Sequence, residues 1–161
     1  MSELQDLDHE RAKEAGERLH AAFKGARSQK DLKGYRTVAL QAPVYLRQVG
    51  LIQLVAFWLS KKGAEVEVLK HLLGWLERAP STKEICAQKT EQQGRNTLVT
   101  RRPLKYSARF DEIAGPLLAR TAEDVAILEA EAEAFLGWIK RLVEGRYQNL
   151  PKKPMDPHGT P

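Results

Sequence analysis

Apolar residues recur at spacings of three and four along most of the chain, and the breaks in that rhythm fall at Gly, Pro and Ser. Leu4, Leu7, Ala12, Ala15, Leu19, Ala22, Phe23 and Ala26 form one stripe, which predicts an amphipathic helix over 3–27. Ser28 is placed to cap a second helix carrying Leu32, Tyr35, Val38, Ala39, Ala42, Leu46 and Val49. Pro43 interrupts that pattern, so a kink or a break near Ala42 is expected, with a tight junction at Gly50. A third helix over about 51–62 is apolar on most faces and belongs at the centre. Lys61 and Lys62 suit its negative end, and Gly63 suits the residue just beyond it. A fourth, 64–79, carries Val66, Leu69, Leu72, Leu73, Trp75 and Leu76 before Pro80 stops it.

The rhythm then lapses. Residues 80–108 are polar, basic and aperiodic, which predicts a long surface insertion with a short strand at Thr97–Thr100. A short helix at 109–119 follows. Thr121 and Asp124 then have the spacing of a capping box, opening a long helix over 122–145 with Val125, Leu128, Ala132, Phe135, Leu136, Ile139, Leu142 and Val143 on its stripe. The prediction is all-α: a compact bundle of about five to six helices forming a single domain over 1–146, with a disordered tail at 147–161.

Composition narrows the class. Hydrophobic residues make up 42% of the 161, enough for a core, and the one cysteine, Cys86, allows no intrachain disulfide. The polar N-terminus has no signal-peptide pattern. The longest strongly apolar stretch, 50–60, is too short to span a bilayer, so no membrane role and a cytoplasmic setting are expected.

Catalytic constellations are scarce. His9, His20, His71 and His158 stand far apart without partners at metal-ligand spacing, and there is no phosphate-cradling glycine loop and no Gly-x-Ser-x-Gly elbow. Cys86 reads as an exposed thiol in a polar loop, and Glu129 with Glu133 as a solvated face. Neither enzymatic activity, cofactor nor metal is expected.

The net charge of +5 is uneven: residues 1–79 carry 13 Lys and Arg against 10 Asp and Glu, residues 80–120 carry 8 against 4, and residues 121–161 carry 5 against 7. Between 24 and 47, Lys24, Arg27, Lys30, Lys33, Arg36 and Arg47 face only Asp31. Further doublets, Lys61-Lys62 and Lys140-Arg141, fall at apparent helix ends. One explanation is solubilising side chains that snorkel from the bundle; the other is several helices pointing charge at one phosphate backbone.

A resemblance separates the two. Tyr35, Arg36, Pro43, Arg47, Gly50, Leu51, Leu54 and Phe57 follow one another as in the small subunit of the type III-B CRISPR RNA-targeting complex, the Cmr effector. Residues 11–19 are similar to that family's opening helix, and 132–145 resemble its closing helix. Two departures stand out: Val49 where the family often has Asn, and an unusually long 80–108 insertion. The resemblance implies a non-catalytic subunit that stacks with further copies of itself and other Cmr subunits along the backbone filament. Its positive side would line a channel for target RNA paired with CRISPR RNA, with sequence read by base pairing and not by this protein. Trp138 would be a core anchor. Lys24, Arg27, Lys33, Arg36, Arg47, Lys61, Lys62, Lys140 and Arg141 would supply RNA contacts. The alternatives are the small subunit of the type III-A (Csm) complex, a helix-turn-helix DNA-binding regulator with Gly63 as the turn and 64–79 as recognition helix, and a helical adaptor docking through an exposed Trp58 or Trp75.

Overall fold

The computed structural model describes residues 2–87, 91–93, 97–99 and 103–146. The tail expected at 147–161 lies outside them, as do parts of the insertion. Among the described residues there are six helices: α1 (Glu3–Gly25), α2 (Gln29–Ser60), α3 (Ala64–Arg78), α4 (Lys83–Ala87), α5 (Phe110–Leu118) and α6 (Ala122–Arg146). Strands β1 (Glu91–Gln93) and β2 (Thr97–Val99) pair antiparallel as a small ribbon between α4 and α5 in sequence. The architecture is an all-α bundle, as the periodicity predicts.

The two caps read from sequence form. Ser28 Oγ accepts from Asp31 N at 3.2 Å, and Thr121 Oγ1 accepts from Asp124 N at 3.1 Å. Each satisfies one backbone donor that a helix start leaves without an internal partner.

The expectation at Pro43 is corrected. Helical geometry runs through Pro43 and departs at Gly50, with φ 80° and ψ 169°. Ala42, Pro43 and Leu46 are all buried. Packing of this arm therefore outweighs the single hydrogen bond that the proline ring removes. At Gly50 the chain reverses: the Tyr45 and Phe57 rings come within 5.3 Å, and a side chain on Gly34 would meet Ala64 at 3.5 Å. Thus α2 is a helical hairpin with arms 29–49 and 51–60. By length and composition α2 passes a test for a membrane span. Its apolar arm is only about half of the ~20 residues a bilayer requires, and Leu51, Leu54, Val55 and Trp58 bury themselves in the bundle.

Gly63 is likewise corrected. The second arm ends at Ser60 with Lys61 as its cap, and Gly63 is the N-cap of α3, where its carbonyl accepts from Val66 and Glu67.

One core joins the helices. Leu19, Tyr35, Leu51, Leu54, Trp58, Leu69, Leu72, Leu73, Leu76, Leu128, Phe135, Leu136 and Ile139 are all buried, and the Trp75 and Phe135 rings stack at 5.5 Å. Trp138 is not the anchor: it is half-buried at the α1–α6 seam, where its Nε1 donates to Asp8 Oδ1 at 2.7 Å.

At the centre lies a charge that the stripe pattern conceals. Glu131 on α6 is 3% exposed, yet three side chains donate to its carboxylate. Arg11 donates twice, from Nε and Nη2, each at 2.7 Å; Trp75 Nε1 donates at 2.8 Å; Ser81 Oγ donates at 2.8 Å. Burial alone would raise the Glu131 pKa, but these donors together hold it below the ordinary carboxylate value. One carboxylate thereby ties α1, α3 and the start of the insertion to α6.

The insertion is not wholly at the surface. Ile85, Cys86 and Leu104 are buried, and Leu104 N donates to Cys86 O at 2.7 Å. Arg120, 5% exposed, donates to the carbonyls of Ile85 (3.0 Å), Cys86 (3.3 Å) and Pro116 (3.0 Å). Cys86 is therefore not the exposed thiol that its polar neighbours suggest. It sits in α4, and burial pushes its pKa up to about 12. The Glu129–Glu133 face is also engaged: Glu129 Oε1 accepts from Leu51 N at 3.0 Å, and Glu133 pairs with Arg47 at 3.2 Å.

Four outcomes follow. Gly50→Ala should cost about 1–3 kcal/mol in urea unfolding, because that backbone region is essentially reserved for glycine and the new methyl would meet Glu129 at 3.0 Å. Glu131→Ala should cost about 3 kcal/mol at pH 7, since it strands a part-buried Arg11. A depressed carboxylate pKa stabilises the fold above the unfolded value of roughly 4.3, so the gap between Glu131→Gln and wild type should narrow as pH falls through that value and below. Burial also lowers the His71 pKa to about 4, in a ring whose Nδ1 lies 2.8 Å from Tyr35 Oη. The unfolded chain takes up this proton near pH 6.5, so wild type should lose about 2 kcal/mol between pH 6.5 and 4, and His71→Gln should lack that slope.

Candidate nucleic-acid interface

The reversal at Gly50 returns the end of α2 to the vicinity of its start. Lys30 and Lys33 open the first arm, Lys61 and Lys62 follow the second, and Lys24 and Arg27 stand at the end of α1. Residues from all three places line one groove of about 1140 Å³, with Arg27, Lys30, Lys61 and Lys62 as its cations. Backbone reversal thus assembles positive charge from positions more than thirty residues apart in sequence. No hydrogen bond inside a helix could do this.

The groove is not uniformly positive. Asp31, Glu65 and Glu67 also line it, and Glu67 accepts from Lys70 Nζ at 3.2 Å. Lys61 Nζ lies 4.8 Å from the centre of the Phe57 ring, a cation–π contact that holds it near the end of the second arm. On the groove wall, Tyr35 is buried against Phe23, ring centres 6.0 Å apart at 72°.

The remaining cations are distributed differently. Lys24 and Lys33 are exposed on the same helices but outside the groove lining. Arg36 is half-buried, and its Nε has no hydrogen-bond partner among the described residues. Arg47 is exposed but pairs with Glu133 and also donates to Pro43 O at 3.4 Å. This pair and the Leu51–Glu129 contact fix α6 antiparallel to the first arm of α2. The end of α6 therefore runs toward the start of that arm, carrying a half-buried Lys140 and an exposed Arg141. The Arg141 guanidinium rests over the Trp138 ring at 5.1 Å, on the seam with α1. The structure thus joins Arg27, Lys61 and Lys62 in one place and leaves Arg36, Arg47, Lys140 and Arg141 out of it.

Sequence reasoning overlooked Arg11, Arg120 and Glu131. A signal existed for two of them. Glu131 falls three residues after Leu128 and four before Phe135, and Arg11 lies four from both Leu7 and Ala15. Each sits on an apolar stripe, where a charge needs a buried partner.

Among the described residues, no group of three or more His, Cys, Asp or Glu is arranged to hold a metal ion. The packing also weighs on two alternatives. Val68, Leu69, Leu72, Leu73, Trp75 and Leu76 of α3 are buried, so one face of α3 is in the core, and its exposed residues, Glu67, Lys70, Glu77 and Arg78, include two carboxylates that a DNA backbone would repel. Trp58 and Trp75 are both buried, so neither offers the exposed ring that an adaptor would dock through.

No curated protein and no solved structure matches the chain. Residues 7–146 match the family model described as CRISPR-associated protein (Cas_Cmr5), a span that contains all six helices except the first residues of α1. The resemblance carried by 35–63 and 132–145 and the helical bundle agree with it. The chain belongs to the CRISPR-associated Cas_Cmr5 family and is a Cmr-type subunit.

Proposed function

We propose that this chain is a non-catalytic small subunit of a cytoplasmic type III-B ribonucleoprotein. It stacks with further copies of itself along the backbone filament and turns its basic end toward the channel in which target RNA pairs with CRISPR RNA. The family match over 7–146 carries the assignment. What supports the RNA-facing role is the gathering of Arg27, Lys30, Lys61 and Lys62 around one groove, close to Lys24 and Lys33 in the chain.

The physics suits such a task. Base pairing supplies the sequence, so a subunit beside the strand needs only fixed positive charge. Rigid placement matters more than the number of contacts, and cations at the ends of packed helices are held in place by the core behind them. Arg47, spent on Glu133, contributes less to this role than its sequence position suggests.

The test is charge reversal in the assembled complex. Arg27→Glu, Lys61→Glu and Lys62→Glu together should leave helicity and assembly intact while weakening target-RNA binding at least ten-fold. The slope of log affinity against log salt should fall by about 2, from three phosphate contacts at ~0.7 each on a single strand. Arg47→Glu alone should have a much smaller effect on that slope. A triple variant that binds target RNA with unchanged affinity and slope would exclude the groove from the channel.

A further inference from the structure

A surface that met only a phosphate backbone would gain nothing from carboxylates or aromatic rings. This groove has both. Asp31 and Glu65 stand among its cations, and Phe23 and Tyr106, each half-buried, lie along its walls. Tyr106 comes from the segment before α5, far in sequence from the other walls, and Lys70 Nζ lies 5.4 Å from its ring centre. The open groove, about 1140 Å³, is slightly larger than the roughly 300–1,000 Å³ of small-molecule sites.

The mixture of groups narrows the ligand. Cations suit phosphate oxygens, which only accept hydrogen bonds. Carboxylates are repelled by phosphate but accept from the N–H groups of base edges and from ribose hydroxyls. Aromatic walls suit the faces of bases, which are exposed only when the nucleotide is unstacked and unpaired. A duplex presents phosphates and hides its base faces, so it would use the cations and waste the rest.

We propose that the groove between the end of α1, the two ends of α2 and the start of α3 holds a short run of unpaired RNA nucleotides. Phosphate lies among Arg27, Lys61 and Lys62, and at least one base lies against Tyr106 and Phe23. This rests on the RNA-facing reading of the same basic end and goes beyond it: the site takes bases, and therefore the part of a target strand that is not held in base pairs. Base contact by stacking is tolerant of sequence, so it is compatible with a complex whose specificity lies in the guide.

The experiment compares two labelled probes on the full chain at low salt by fluorescence anisotropy: a ten-nucleotide oligouridylate and an abasic oligomer of equal length and charge. The base-bearing probe should bind about ten-fold tighter or more, the effect expected from stacking a base. Tyr106→Ala should abolish that difference while leaving the salt slope unchanged, and Tyr106→Phe should preserve it. Arg27→Glu with Lys61→Glu should weaken both probes alike. If wild type binds the two probes equally, the base site is wrong and the basic end contacts phosphate only. If neither probe binds even at low salt, the base site is wrong, while the RNA-facing reading is decided by charge reversal in the assembled complex. Should neither probe bind while the chain self-associates in a manner lost in Tyr106→Ala, the groove is a protein-docking surface and the proposal is overturned.

Discussion

A carboxylate on α6 meets the backbone N–H of Leu51 just where α2 doubles back, and the distribution of charge over the molecule depends on that turn. Gly50 supplies a conformation that side-chain-bearing residues avoid, and Glu129 satisfies the donor that the new helical arm leaves open. With the arms antiparallel, the two ends of α2 become neighbours, and each brings lysines. A straight helix of the same sequence would hold those lysines tens of ångströms apart, since each residue adds ~1.5 Å. The groove is thus a product of one reversal, and the core that fills the hairpin keeps it open at a fixed width.

Much of this was legible because helical periodicity is strong wherever one face is buried. Helices α1, α3, α5 and α6 fall within a few residues of where their stripes place them, and Ser28 and Thr121 cap as their positions suggest. Pro43 was the misleading residue. Its local cost is real, but Ala42 and Leu46 on either side are buried, and a local preference yields to that packing. Gly63 misled in another way: a glycine between two helices can end the first or begin the second, and only the backbone tells which.

Charges were harder to read than apolar residues. A sequence counts cations but does not show which carboxylate each one meets. Arg47 looked equivalent to Arg27 and differs because the turn at Gly50 sets it against Glu133. Glu131 looked like one more member of a Glu-Ala run, yet it accepts hydrogen bonds from three other parts of the chain. The information was present as phase: every fourth residue of α6 near this point is apolar, and Glu131 lies in that row. A partner such as Arg11, 120 residues away, has no local signature.

Arg120 and the Leu104–Cys86 hydrogen bond close the neck of the 80–108 segment. The buried Cys86 and Leu104 are thereby held side by side. Beyond such a neck, added length costs only the slow logarithmic entropy of a longer loop, about 0.6 kcal/mol per doubling. Length can therefore be added between Cys86 and Leu104 at little cost to the bundle, and a reporter peptide could be spliced between these two points with the helices left as they are.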